Sequence, residues 1–190
     1  KTIILALFCL INAWADSPLT STDIWKGYRD LPEVTMARDI ERLNTKLAYY
    51  LVSSASLDKK VAMINALSWN YHGKQNAMLF REVLAQKYKT PKVDAKITAE
   101  ERLCLAYLIA LDDYFDVREA HKMALQAQKQ LPKSFTVAIV CKLIEAQKRF
   151  SEQDKLWTIV EPVLNSKDLK NDMRPAARKQ IVDYMILYKD

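Results

Sequence analysis

Residues 98–132 read TAEERLCLAYLIALDDYFDVREAHKMALQAQKQLP, and this stretch decides the fold. Thr98 with Glu101 three residues on is a capping box, in which each side chain can satisfy the other residue's backbone amide at a helix start. Leu105, Leu108 and Ile109 follow at helical steps as far as Asp112. Asp116-Val117-Arg118-Glu119 repeats the cap pattern, a second helix is expected over 120–130, and Pro132 closes the unit. Two helices joined by so short a turn must lie antiparallel.

Outward from this unit the same grammar recurs. Downstream, helices are expected over 134–149 and 151–164, with Pro162 in the last turn of the second. A terminal helix over 172–188 tolerates Pro175 in its first turn and carries Ile181, Tyr184, Met185 and Tyr188 on one face. Upstream, a helix capped by Asp58 carries Val61, Ile64 and Leu67, and its partner over 75–88 carries Met78, Leu79, Val83 and Leu84 before Pro91. Before that, Asp30-Leu31-Pro32-Glu33 reads as a capped start. Met36, Ile40, Leu43, Leu47, Tyr50 and Leu51 form one stripe, which predicts a single helix ending near Ser54. The expectation is an all-α chain of about eight helices, antiparallel hairpins stacked as an irregular α-solenoid in one domain over 31–190; a compact bundle would give much the same pattern.

Ala120, Ala127 and Pro132, spaced seven and then five, resemble the second-helix positions of a tetratricopeptide repeat. The resemblance covers residues 99–132; the early aromatic of the first helix is Cys104 or Leu105 here, and the flanking pairs match only in helix length and order. It implies hairpins stacked into a superhelix and a role in binding another protein or peptide through the concave face.

Composition excludes several alternatives. Half of the 190 residues are apolar, enough for a core, but only two are glycine. Glycine supplies the positive φ of phosphate-cradling loops and hairpin turns, so P-loop, Rossmann and many-stranded β readings lack raw material. Residues 1–15, KTIILALFCLINAWA, combine a lysine, an apolar run and Ala13-Trp14-Ala15, the pattern of a secretory signal peptide with Asp16 as the mature start. The expected destination is the periplasm or the medium, with no membrane span in the mature chain. Residues 16–30, DSPLTSTDIWKGYRD, lack an apolar period and read as an irregular arm tied to the body by Ile24, Trp25 and Tyr28. Cys104 and Cys141 fall on apolar helical faces and read as small buried hydrophobes, although their spacing leaves a bridge between neighbouring helices open.

Motifs for catalysis are sparse. HExxH, GxSxG, CxxC and glycine-rich loops are absent, and no cofactor or metal is expected. His72 and His121 are the only histidines; His121, between Glu119 and Lys122, reads as a helix-surface residue. Glu100, Glu101, Asp112, Asp113 and Glu161 could in principle converge in space for acid-pair chemistry, but Asp112 and Asp113 sit where a helix ends, a structural position. The stretch 118–149 carries a net charge of +5 within a chain of +6, and Lys122, Lys129 and Lys133 are expected on one helical face. Such a stripe is either a solvated surface or a dock for an acidic partner; nucleic acid is not expected in that compartment.

One loop adds a candidate binding edge. In LSWNYHGKQNA, 67–77, Gly73 is expected to end one helix in the left-handed position and Gln75 to open the next. Trp69 is placed against the Asn65 and Ala66 face, His72 near the last carbonyls, and Trp69, Tyr71 and His72 at the rim of a helix pair where a peptide groove would open. The leading reading is an exported, non-enzymatic protein- or peptide-binding or scaffold module, with Trp69, Tyr71, His72, Lys122, Lys129 and Lys133 as candidate contacts. The alternatives are an envelope hydrolase with convergent carboxylates and a structural accessory subunit of an envelope complex.

Overall fold

A computed structural model describes residues 17–189; the signal-like segment 1–15 and Asp16 lie outside the described residues. Among these the chain is all-helical: α1 (Pro32–Ile40), α2 (Thr45–Leu51), α3 (Leu57–Ala66), α4 (Asn76–Tyr88), α5 (Ala99–Asp112), α6 (Arg118–Gln130), α7 (Phe135–Lys148), α8 (Leu156–Leu164) and α9 (Pro175–Met185). The capping box forms as expected, Thr98 Oγ1 accepting from the Glu101 amide at 3.2 Å and Glu101 Oε2 from the Thr98 amide at 2.9 Å. Ser134 caps α7 in the same way through the Val137 amide.

The helix expected from 31 to near 54 is two helices. Glu41 turns left-handed (φ 47°) and ends α1, and Asn44 caps α2 by accepting from the Leu47 amide at 2.9 Å. The physical reason is a distant partner: the Leu43 amide donates to buried Asn76 Oδ1 at 2.8 Å, which a continuous helix would forbid. Ile40 is consequently 43% exposed, and α1 buries Val34 and Ala37 instead. Neither Asp30 nor Asp58 is a cap; Leu31 and Ser56 stand at those positions without a side-chain bond.

Helix α1 packs on α3, α3 on α5 and α5 on α7; α2 packs on α4, and α5, α6, α7 and α8 each pack on the next. The starts of α3, α5 and α7 share one end, where Asp58, Glu100 and Ser134 border a common cavity. The ends of α1, α3 and α5 meet at the other, where Glu41, Asn70 and Asp112 border two adjoining cavities. Small residues permit close approach: Ala120, Ala124 and Ala127 of α6 are buried. Cys104 and Cys141 are buried and unbridged, and burial raises their thiol pKa values to about 12 and about 11.

Sequential stacking alone does not describe the packing, because the arm joins the two ends of the chain. Leu19, Ile24 and Tyr28 are fully buried, and the 3-10 helix Ile24–Tyr28 packs on both α3 and α9. Asn65 anchors it, accepting from the Trp25 amide at 3.0 Å while its own amide donates to Thr22 O and Tyr107 Oη. Tyr28 donates to Asp58 Oδ2 at 2.6 Å and accepts from the Arg174 amide at 3.0 Å. Arg174 also pairs with Asp30 at 2.5 Å and lies over the Tyr28 ring. In a linear repeat stack each unit touches only its neighbours; here the arm spans from α3 to the last helix.

Candidate functional site

The loop 67–75 is built on hydrogen bonds that its composition only partly announces. Helix α3 stops at Ala66, and the left-handed residue that ends it is Ser68 (φ 59°), not Gly73. Gly73 (φ 77°) instead closes a turn on Asn70 O at 2.9 Å, and a Cβ there would sit 3.0 Å from the Asp112 carbonyl oxygen. The group on the last carbonyls is Lys74, not His72: its Nζ donates to Glu41 O at 2.7 Å, Leu67 O at 2.5 Å and Ser68 O at 3.3 Å. A lysine ammonium suits this place because the carbonyl ends of α1 and α3 carry partial negative charge. Burial lowers its pKa, against the raising influence of Glu41 and Asp112.

With the loop so pinned, Tyr71 and His72 are exposed while Trp69 is half-buried. Trp69 packs against the core, and its ring meets Tyr114 edge-on at 4.7 Å. Tyr71 stands perpendicular to His72 at 5.5 Å and to Phe115 at 5.7 Å, and Tyr114 and Phe115 are 4.3 Å apart. Trp69, Tyr71 and His72 are thus brought together, and the α5–α6 loop adds Tyr114 and Phe115. Tyr71 is 68% exposed and Phe115 59%. Tyr114 and Phe115 are legible in the sequence only as two aromatics next to a helix end; nothing local says that they meet residues 44 to 45 positions earlier.

Beside this cluster lies a cavity of about 260 Å3 walled by Asn70, Tyr71, His72, Gly73, Asp112, Asp113, Tyr114 and Phe115. Asp112 is structural, as expected of a helix-end carboxylate, but its service is to another helix: Oδ2 accepts from the Ala77 amide at 2.7 Å and so caps α4. Burial raises its pKa, opposed by the Ala77 and Asn76 amides and by Lys74. Asp113 Oδ1 accepts from the amides of Phe115 and Asp116 at 3.2 and 3.3 Å, which sets the shape of the loop.

The basic residues sit elsewhere. Lys122 and Lys129 are exposed on α6, but Lys133 lies past the helix end at Gln130, so the three do not share one helical face. Lys133 borders a different cavity, of about 570 Å3, with Asp58, Glu100, Lys170 and Asp172. The surrounding charge is partly neutralised by the pairs Arg118–Asp116, Lys142–Glu145 and Arg149–Glu152. His121 is half-buried rather than a surface residue, its Nε2 4.0 Å from Glu145. Burial lowers its pKa, as do Lys148 and Lys142, and Glu145 only partly offsets this.

In that larger cavity the carboxylates are already engaged by the fold. Asp58 accepts from Tyr28, Glu100 pairs with buried Lys60 at 3.4 Å, and Asp172 Oδ1 accepts from the Thr136 amide at 2.8 Å. Among the described residues no group of three His, Cys, Asp or Glu side chains could hold a metal ion, and no helix is long and apolar enough to cross a membrane. No family model matches the chain, and neither the curated proteins nor the solved structures compared with it give a match.

Proposed function

We propose that this chain is an exported, non-enzymatic helical module that binds another protein or peptide along the loop edge formed by residues 69–72 and 113–115. The observation that carries this reading is the pair Tyr71 and Phe115, two large aromatics from separate loops held edge-to-face at 5.7 Å while most of each side chain faces water. Aromatic residues so placed supply large contact area at low entropic cost, and they are enriched where partners bind. Burial of Ala120 and Ala127 supports the tetratricopeptide-like reading of the α5–α6 hairpin. Export rests on the signal-like segment 1–15, and the exposed Lys122 and Lys129 would favour acidic segments of the same partner.

The reading is tested by panning a peptide library on the protein and on a Tyr71→Ala, Phe115→Ala variant. Peptides that bind the first and lose the second support it. Binders indifferent to both substitutions, or sensitive only to Lys122 and Lys129 replacement, would move the site to α6. A hydrolase acting through the larger cavity predicts instead that cleavage of envelope polymers disappears in Glu100→Gln, a substitution away from the aromatic edge.

A further inference from the structure

The 260 Å3 cavity beside the aromatic edge has a chemistry of its own. Its volume is below the usual range for a drug-sized ligand but is enough for a single side chain. Four of its lining residues carry rings: Tyr71 is perpendicular to both His72 and Phe115, and Tyr114 is tilted 32° from Phe115. Its floor is the C-terminal end of α5, with Asp112 and Asp113, and Asp112 Oδ1 is buried there without a hydrogen bond of good geometry. No lysine or arginine is among the lining residues. At the adjoining helix ends the carbonyls closing α1 and α3 are met by the ammonium of Lys74, whereas the Asp112 carbonyl at the end of α5 accepts only the Lys74 backbone amide, at 3.1 Å. Lys74 offsets part of the Asp112 charge, and exposed Asp113 adds a second carboxylate.

We propose that this cavity receives the cationic side chain of a lysine or arginine in the partner polypeptide, held against the exposed rings of Tyr71 and Phe115 beside the exposed carboxylate of Asp113. Aromatic walls attract a cation through the ring quadrupole, and the helix C-terminus adds to the same field. The proposal rests on the loop edge being the docking surface and says which residue of the partner enters it.

The test titrates the full chain with acetyl-arginine amide and, separately, with acetyl-citrulline amide, which has the same shape without the charge, following amide and Trp69 indole signals by NMR. The expected result is saturable shifts confined to residues 69–74 and 112–116 with the arginine probe, and binding weaker by about tenfold with citrulline. Phe115→Leu should weaken arginine binding by a similar factor while the unfolding midpoint stays in place. Equal binding of citrulline, shifts that survive Phe115→Leu, or no shift at roughly 50 mM probe would overturn the proposal. If panned peptides depend on Tyr71 and Phe115 but the arginine probe fails, the docking edge stands and only the cation pocket falls.

Discussion

The carboxylate of Asp112, at the last turn of α5, accepts a hydrogen bond at 2.7 Å from the amide of Ala77, in the first turn of α4. The end of one helix thereby caps the start of another 35 residues earlier, and the two loops that carry the aromatic edge are locked together.

This contact predicts a difference between two substitutions. Asp112→Ala leaves buried amides of α4 without an acceptor and should cost about 1–2 kcal/mol. Asp112→Asn keeps an oxygen there and removes a charge whose burial opposes folding, so it should cost clearly less. Urea unfolding at pH 7 distinguishes them, and equal losses would mean that the charge itself matters.

Lys74 makes a second prediction. Its three carbonyl contacts join the ends of α1 and α3, so Lys74→Met should destabilise the chain by roughly 1.5–3 kcal/mol, the range for hydrogen bonds to a charged group. The loop 67–75 should also lose protection from amide exchange before the helices do. His72→Ala, by contrast, should leave stability within about 0.5 kcal/mol.

Gly27 touches α9 so closely that a Cβ would lie 2.6 Å from the Ala177 backbone nitrogen. Gly27→Ala should therefore push the arm from α9 and cost about 1–3 kcal/mol. Because the nearest obstacle is backbone, adding Ala177→Gly should not restore the thermal midpoint.

His121 gives a pH dependence with a definite sign. Its pKa in the folded chain is lowered from 6.5, so the unfolded chain binds the proton more readily. Its contribution is intact above pH 6.5 and is lost as the pH falls from there toward the folded value. Thermal unfolding between pH 7 and pH 5 should show a smaller decline for His121→Gln than for the parent chain; parallel curves would refute the assignment.

Much of the fold is legible because its signals are local. The Thr98–Glu101 box, Pro175 in a first turn and the alanines of α6 act within a few residues of themselves, and the helices expected there are found. Where the reading failed, a distant residue had intervened. The break at Glu41 answers to Asn76 and to Lys74, each more than thirty positions from its contact there. The aromatic edge was half visible for the same reason: Trp69, Tyr71 and His72 are neighbours in sequence, while Tyr114 and Phe115 reach them only through packing.

The sequence by itself thus determined the helical class, the hairpin order, the arm's anchoring residues Ile24, Trp25 and Tyr28, and one side of the aromatic edge, since periodicity and caps are properties of contiguous residues. Only the tertiary structure decided where helices break, that the arm spans α3 and α9, and that two loops enclose a cavity walled by rings and carboxylates. Those features depend on hydrogen bonds and ring contacts between residues more than thirty positions apart, whose formation no local pattern encodes.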